Sequence, residues 1–305
     1  MASTTTTTTT PVTAGAATGT AVEGRRGGNG LLHRTLRFVP RWIIGMVISA
    51  VIIVPLLYAI LDGFKTNGEL VGNPALLPGT WVFDNYRQLL ASSTFWTEVW
   101  NSVIVGTISV VLVVAFSALA AFVFARINFR GREVVYTLFT LGLLWPLAVA
   151  ILPLFVLLRT LGLVGNPLGV ALPQAAFGLP LTIVILRPFF GAIPNELEDA
   201  ARVDGCSTFG FFWRIVLPLS RPALATVSVL ALVTSWNSFL LPLMVFQGSE
   251  QWTLPLGVMN FASDHTSDWA LILAFTSLSM VPAVLFYVVA ERHIVSGLTA
   301  GSVKG

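Results

Sequence analysis

The sequence predicts an all-α membrane protein that crosses the bilayer with six helices. Of its 305 residues, 55% are hydrophobic and only 10% are charged, whereas an ordinary soluble domain has about 25% charged residues. A soluble fold of this size has too little interior to hide so much hydrocarbon. The apolar residues also form continuous stretches of about 20 residues, the length of helix that spans about 30 Å of hydrocarbon. Lipid is therefore the expected solvent for most of the chain.

Six stretches reach this length. In chain order they are residues 42–61, 101–125, 134–158, 168–186, 222–246 and 269–290. Each is predicted to be a helix because its apolar residues are continuous, without the alternation that the strands of a membrane β-barrel require. None of the six contains Asp, Glu, Lys, Arg or His.

The basic residues predict the orientation. With the N-terminus inside, 14 of the 17 Lys and Arg residues lie in the inner segments, and only Lys65, Arg87 and Arg159 lie in the outer ones. This is the positive-inside pattern, and it places both termini in the cytoplasm. It also accounts for the basic pI, so we expect no nucleic-acid partner.

The segment before the first predicted helix differs in composition from the rest. Residues 1–40 are rich in Thr and Gly and include an unbroken run of threonine at 4–10. The low-complexity part holds too few apolar residues to offset the entropy lost on ordering. We therefore expect residues 1–40 to be a disordered cytoplasmic tail and residues 41–305 to form the six-helix domain.

Two outer segments interrupt the hydrophobic pattern. Residues 62–100 are rich in Gly, Pro and aromatic residues, which predicts short helices at the level of the lipid headgroups. Residues 247–268 are polar and mixed, and we expect them to contact a partner outside the membrane.

The long inner segment, residues 187–221, begins with a predicted short helix. Asn195 is predicted to be its N-cap, with Glu198 closing a capping-box-like pair. Ala200 and Ala201 allow another backbone to approach closely, and Gly205 is predicted to end the helix in the left-handed conformation.

A second short helix is predicted to begin after Ser207 and to stop at Pro218. It would present Phe209, Phe212, Trp213 and Val216. A simple connection needs only a few residues, so this acidic and aromatic segment indicates a plug for a groove on a soluble partner. The alternative is an amphipathic helix that rests on the inner leaflet.

The spacing within this segment resembles a known motif. Asp199 is followed by two alanines, Gly205 comes after three intervening residues, and after nine more residues the chain reads I-V-L-P at 215–218. This resembles the EAA loop of bacterial ABC importers, E-A-A-x3-G-x9-I-x-L-P, with Asp199 in place of the usual Glu.

Further residues resemble the carbohydrate-uptake branch of these importers. They are Asp204, the Arg-Pro pair at 221–222 and the tail at 297–305, which is similar to the end of the maltose-type second permease. The resemblance covers roughly residues 41–305.

The resemblance implies the ABC type I importer permease fold and a role in carbohydrate transport at the bacterial plasma membrane. It implies four kinds of neighbour: a second permease in a heterodimer, two copies of a cytoplasmic ATPase that hold ATP and Mg²⁺, an extracytoplasmic sugar-binding protein, and the lipid bilayer. The EAA loop would be the coupling helix seated in the ATPase, and the C-terminal tail could lie against the ATPase dimer. The implied ATPase-coupling residues are Asp199, Ala200, Ala201, Asp204, Gly205, Ile215, Leu217 and Pro218.

Uncharged polar and aromatic residues inside the spans are candidates for the substrate path. Aromatic faces and amide groups suit a neutral sugar, which offers hydroxyl groups and apolar C–H faces. Each could equally serve helix packing. The candidates are Trp145, Gln174, Trp236 and Asn237.

The main alternative is an ion-coupled secondary transporter of a small polar solute. Proton coupling normally needs ionisable side chains within the membrane, and the six predicted spans have none. An enzyme is not expected, because the HExxH, G-x-S-x-G and P-loop motifs are absent. The single cysteine, Cys206, and three scattered histidines predict no metal site, and we expect no cofactor in this chain. The sequence does not identify the sugar.

Overall fold

A computed structural model describes the backbone of residues 29–72, 75–262 and 267–300, and the side chains of 42–72, 75–262 and 267–288. The chain divides into two compact units, Met1–Val54 and Pro55–Gly305. In the first unit the described side chains, 42–54, are all exposed, as suits an apolar helix that faces lipid. The expectations for residues 1–28 and 301–305 fall outside the described residues.

The regular secondary structure in the described part of the chain is helical, apart from one isolated bridge between Ala262 and Ser267. The α-helices are α1 (Asn29–Asp62), α2 (Asn67–Gly72), α3 (Asp84–Ala91), α4 (Ser93–Arg126), α5 (Arg132–Leu141), α6 (Leu147–Thr160), α7 (Pro167–Gly191), α8 (Asn195–Val203), α9 (Thr208–Phe211), α10 (Leu217–Leu219), α11 (Arg221–Trp236), α12 (Leu240–Val245), α13 (Leu254–Gly257) and α14 (Trp269–Ala300). The predicted all-α class is confirmed.

In the described part of the chain, four apolar helical segments are long enough to cross a membrane without a break, and two bent pairs of helices could each form one further span. The continuous segments are Trp42–Asp62, Ser93–Arg126, Pro167–Gly191 and Trp269–Val288. Six spans therefore result when each bent pair counts as one. α1 begins at Asn29, before the predicted boundary at residue 41.

The predicted third span, 134–158, is not straight. Its two halves, Arg132–Leu144 and Leu147–Thr160, meet at 102°. Trp145 and Pro146 between them have extended backbone. Pro146 lacks the N–H that a continuing helix needs and disfavours helical conformation at the residue before it.

The predicted fifth span, 222–246, is wrong as one helix. α11 ends at Trp236, and residues 237–239 separate it from α12. The Asn237 side chain donates to the carbonyl of Val233 at 2.9 Å, a local bond of the kind that competes with helix propagation. The second bent pair instead joins Thr208–Leu219 to Arg221–Trp236 at 79°.

α4 is longer than the predicted span 101–125, and this brings charge into a membrane helix. It begins at Ser93 and so includes Glu98, which is 0% exposed. The expectation that the spans hold no ionisable side chain is therefore wrong for this helix. The predicted span starts after Glu98 because a carboxylate lowers the hydropathy of a segment and is expected to face water. In the structure, the Glu98 carboxylate is enclosed by protein.

The predicted outer segment 62–100 contains the two short helices α2 and α3. Phe64 packs against neighbouring rings in a tilted arrangement, with its ring centroid 4.3 Å from that of Tyr86 and 5.4 Å from that of Trp81. Trp81 and Phe83 are exposed, as is usual for aromatic residues at a membrane interface.

The centre of the second unit is formed by α4, which packs against α7 and α11, while α11 also packs against α14. Small side chains line this contact: Ala118, Ala121 and Ala223 are buried. Small residues allow membrane helices to approach closely. This bundle supports the inner segment at one end and the outer segment 247–262 at the other.

Candidate functional site

The first helix of the inner segment is held by an arginine from a distant helix. Arg126, the last residue of α4, donates from Nη1 to Oδ1 of Asn195 at 2.8 Å. Asn195 is the first residue of α8, and Pro194 occupies the cap position without a side-chain cap bond. The predicted capping box of Asn195 and Glu198 is therefore wrong, because both side chains interact with Arg126 instead.

Arg126 makes further contacts that tie three elements together. Its Nε donates to the carbonyl of Phe190 at 2.9 Å, and its Nη2 donates to the carbonyl of Ile193. These carbonyls lie at and just after the end of α7, where backbone acceptors lack helical partners and a cation is favourable. The guanidinium is also 3.7 Å from Glu198 and its side chain is 5% exposed. The start of α8 is thus fixed to the ends of α4 and α7.

The turn after α8 is the one that the sequence predicts. Gly205 has φ of 77°, a conformation that glycine adopts without steric cost. The N–H of Cys206 donates to the carbonyl of Ala201 at 2.8 Å and that of Gly205 to Arg202 at 3.0 Å, as expected where glycine ends a helix.

The second helix begins where predicted, but buries part of the face that it was expected to present. Ser207 Oγ accepts from the N–H of Gly210 at 3.1 Å and caps α9. Phe212 and Val216, in the π-helical turn Phe212–Val216, are buried, and the ring centroid of Phe212 lies 5.0 Å from that of Phe122 on α4. The helical path also continues past Pro218 to Leu219.

The exposed part of the segment forms what we call the coupling surface: Asp199, Ala200, Val203, Gly205, Phe209 and Trp213. Val203 is 87% exposed, and it lies on the same stripe of α8 as Asp199 and Ala200 because residues three and four apart share a helix face. Phe209 and Trp213 form a second exposed pair, with ring centroids 6.0 Å apart. Exposed apolar residues beside carboxylates can seat against a partner protein.

The eight predicted coupling residues differ in exposure. Asp199, Ala200, Asp204, Gly205 and Pro218 are exposed, and Ile215 and Leu217 are half-buried. Ala201 is only 6% exposed and packs in the core with Phe190 and Phe212. Its small side chain seats α8 on the chain's own bundle, and its role in contacting a partner stays a prediction. Val203, which the motif does not include, is the exposed apolar residue of α8.

Gln174 is the predicted path residue that joins a polar cluster. Its Oε1 accepts from Ser109 Oγ at 2.6 Å, and its Nε2 and Ser235 Oγ are buried without a hydrogen-bond partner among the described residues. They line a cavity of about 40 Å³ between α4, α7 and α11. This volume suits water, which needs about 10–15 Å³, and not a sugar.

The other three predicted path residues are not brought together. Trp145 is exposed at the bend before α6, and Asn237 is exposed at the end of α11. Trp236 is 4% exposed, and its ring centroid lies 5.7 Å from that of Phe286. The ring therefore packs between α11 and α14 in this structure, and a place for Trp236 on a polar path stays a prediction.

A buried polar stripe on α4 was missed by the sequence analysis. Glu98, Ser102 and Ser109 are all buried, and their spacing of four and seven residues places them on one helix face. Ser102 Oγ accepts from the N–H of Leu254 at 2.7 Å, which fixes the outer segment to α4. The four- and seven-residue spacing of polar residues in an apolar helix is the signal that could have found them.

The outer segment 247–262 is anchored on the same helix. Asn101 Nδ2 donates to the carbonyls of Glu250 and Trp252 at 2.9 and 3.0 Å. Ser249 and Glu250 are exposed, so this end of the bundle offers a polar surface held by two fixed points on α4.

Comparison with known proteins gives a family match over most of the chain. The family described as "Binding-protein-dependent transport system inner membrane component" matches residues 113–296. The chain is 33% identical over 258 residues to the diacetylchitobiose uptake system permease protein NgcG of Streptomyces coelicolor, covering 84% of this chain and 85% of that one. It is 35% identical over 262 residues to the arabinooligosaccharides transport system permease protein AraQ of Halalkalibacterium halodurans, covering 85% and 93%.

The fold is also similar to a solved structure. A chain of the crystal structure of a bacterial ABC transporter involved in the import of the acidic polysaccharide alginate superposes with a TM-score of 0.74. The two sequences are 22% identical, and the match covers 90% of this chain and 99% of the other.

Proposed function

Because the chain belongs to the family of binding-protein-dependent transport system inner membrane components, we propose that it is the permease subunit of an ATP-driven importer of a sugar or oligosaccharide. Family membership favours this function over the ion-coupled secondary transporter. The sugar class rests on relatives whose names state uptake of diacetylchitobiose and of arabinooligosaccharides. The translocation path forms together with a second, related permease.

The coupling surface docks in a cleft of a cytoplasmic ATPase. The observation that supports this is the anchoring of α8 by Arg126, which leaves Ala200 and Val203 exposed on a helix whose start is hydrogen-bonded to the end of α4. A rigidly seated helix transmits displacement to the elements that hold it, as in shear and hinge transitions. Gly205, Asp199 and Asp204 belong to this contact, and Pro218 marks its end.

ATP hydrolysis takes place on two copies of that ATPase, which hold ATP and Mg²⁺, and this chain supplies no catalytic residue. The family description supports dependence on a binding protein, and the exposed outer segment at Ser249 and Glu250 suits contact with it. The positive-inside distribution supports cytoplasmic termini in the bacterial plasma membrane.

Gln174 and Ser109 stay candidates for the edge of the path that the two permeases enclose. Their polar atoms face a cavity that holds only water-sized groups, so a sugar does not fit between α4, α7 and α11 of this chain. Contact of Gln174 with a sugar would require its helix to turn this polar side chain toward the second permease.

Reconstitution tests this function. The chain, its second permease and the ATPases are placed in proteoliposomes with the sugar-binding protein outside. Uptake of labelled diacetylchitobiose, arabinotriose and maltose is then measured with and without internal ATP. ATP-dependent uptake of at least one sugar that also stimulates ATP hydrolysis is the expected result. Uptake that follows a proton or sodium gradient without ATP would overturn the proposal.

A further inference from the structure

An open cavity of about 530 Å³ lies at the same end of the bundle as the coupling surface. The last turn of α4, the start of α5 and the end of α7 enclose it, and Ala125 in its wall precedes the anchor Arg126. Two arginines contribute positive charge to the lining, Arg132 from α5 and Arg187 from α7. Their side chains are 28% and 21% exposed, so a ligand in the cavity can reach them.

A single carboxylate lies between these two guanidinium groups. Glu133 Oε1 accepts from Arg187 Nη2 at 2.5 Å and from Arg132 Nε at 3.1 Å. Arg132 Nη1 donates to Asn128 at 2.9 Å, whereas its Nη2 makes no hydrogen bond within the described part of the chain. The Glu133 side chain is 60% exposed, so water screens its charge. The cavity therefore keeps a net positive charge and unused N–H donors, which favour an anion.

The guanidinium of Arg187 is held in place by an aromatic ring. Its Cζ lies 3.9 Å from the centroid of the Tyr136 ring, and that ring packs edge-on against Phe124 with centroids 5.7 Å apart. A guanidinium stacked on a ring still directs N–H donors outward in its own plane. A planar cation oriented in this way is a suitable partner for the oxygens of a phosphate group.

An apolar surface continues from the arginines along α5. Val135 and Phe139 share a helix face with Arg132 and Tyr136, because residues three and four apart are neighbours on a helix. They are 37% and 40% exposed, and α5 begins a segment that is apolar enough to form part of a span. A soluble anion would contact only the arginines, whereas a phospholipid would also cover this apolar surface.

We propose that the cavity binds the phosphate of an anionic phospholipid, whose acyl chains lie along Val135 and Phe139. Basic pockets between membrane helices at the cytoplasmic surface bind such headgroups, and the positive-inside pattern places this one in the inner leaflet. The lipid bridges the start of α5 and the end of α7 close to the anchor of α8. This site is separate from the sugar path and goes beyond the proposed function.

Native mass spectrometry of the purified permease pair tests the site, with phosphatidylglycerol or phosphatidylcholine added to the detergent. Arg132→Gln removes the free donor and one charge but leaves the contact between Arg187 and Glu133 in place. Glu133→Gln removes the competing carboxylate from an exposed position. Arg130→Gln is the matched control, because Arg130 is an exposed arginine that does not line the cavity.

We expect Arg132→Gln to weaken phosphatidylglycerol binding at least tenfold, as the loss of a hydrogen bond between charged groups does. Glu133→Gln should strengthen it roughly threefold, since one exposed negative charge is removed. General damage to the fold would not produce these opposite shifts. Arg130→Gln keeps the wild-type affinity, and phosphatidylcholine binds more weakly than phosphatidylglycerol to the wild type.

Several outcomes overturn the site. One is a wild type that retains no phosphatidylglycerol, or no more than Arg132→Gln retains; another is an equal loss in Arg130→Gln. Displacement of the lipid by inorganic phosphate at equal concentration would identify a site for a soluble anion. Weaker ATPase binding by Arg132→Gln with unchanged lipid retention would assign the surface to the ATPase. Because lipid retention is measured without transport, a complex that lacks ATP-driven sugar uptake overturns only the proposed function.

Discussion

The guanidinium of Arg126 lies 3.7 Å from the carboxylate of Glu198, across a separation of 72 positions in the chain. Glu198 also pairs with Arg202 at 2.6 Å. Arg126 is almost fully enclosed, whereas the Arg202 side chain is 65% exposed. The two arginines therefore contact the same carboxylate but differ in their energetic weight, which makes them a matched pair for mutation.

Arg126→Gln is expected to uncouple ATP hydrolysis from transport. The change removes hydrogen bonds to Phe190, Ile193 and Asn195, and bonds to charged groups contribute about 1.5–3 kcal/mol each. The α8 helix then moves independently of α4. Sugar uptake should fall at least tenfold while ATP hydrolysis by the assembled complex continues, measured in the same proteoliposomes.

Arg202→Gln is the control for that change. An exposed ion pair contributes about 0–1 kcal/mol, so uptake should stay within twofold of wild type. Equal losses in the Arg126 and Arg202 variants would show that the anchoring of α8 does not depend on the buried contacts.

Gly205→Val is expected to disturb the turn by its backbone and not by collision. No atom lies within 4 Å of a Cβ built at Gly205, but its φ of 77° disfavours a β-branched residue, at a cost of about 1–2 kcal/mol. Gly205→Asn, which tolerates this conformation, should retain coupling. The measurement is the number of ATP molecules hydrolysed per sugar imported, and similar ratios in both variants would contradict the requirement for a left-handed turn.

Two neighbouring aromatic residues should separate docking from folding. Trp213→Ala removes an exposed ring of the coupling surface and should weaken binding of the ATPase to the permease pair without lowering thermal stability. Phe212→Ala removes a buried ring and should destabilise the chain by about 3–5 kcal/mol. Surface-plasmon binding and a thermal-shift assay distinguish them, and loss of stability in the Trp213 variant would contradict its place on the surface.

Cysteine crosslinking tests which partner contacts each end. In a Cys206→Ser background, the only native thiol is removed. Val203→Cys should then crosslink to the ATPase, and Glu250→Cys should crosslink to the sugar-binding protein during turnover. Capture of the binding protein by Val203→Cys would reverse the proposed orientation of the chain.

The sequence predicted local features well where the deciding interaction is itself local. The left-handed turn needs only Gly205, and the start of α9 needs only Ser207 and a backbone N–H three residues away. Both predictions are confirmed. The bend of the third span could also be expected in kind, since Pro146 cannot continue a helix, although its angle depends on how α5 and α6 pack.

Features that depend on distant partners could not be predicted. Asn195 is a good N-cap residue, but Arg126, 69 positions away, takes its side-chain oxygen. Glu98 was assigned to the interfacial segment 62–100, because its partner Asn260 lies 162 positions later and the sequence does not show their contact. Trp236 was assigned to a polar path from its residue type. Its burial against α14 depends on tertiary packing, which the sequence does not show.

α4 carries both of these long-range anchors, with Arg126 in its last turn and Glu98 near its first. The 28 positions that separate them span about 42 Å of continuous helix, so a rotation of roughly 10° about the inner end would move the outer end by about 7 Å. A displacement of the inner end of α4, produced when the ATPases close on ATP, would thereby move its outer end directly, without a relay of side chains in between.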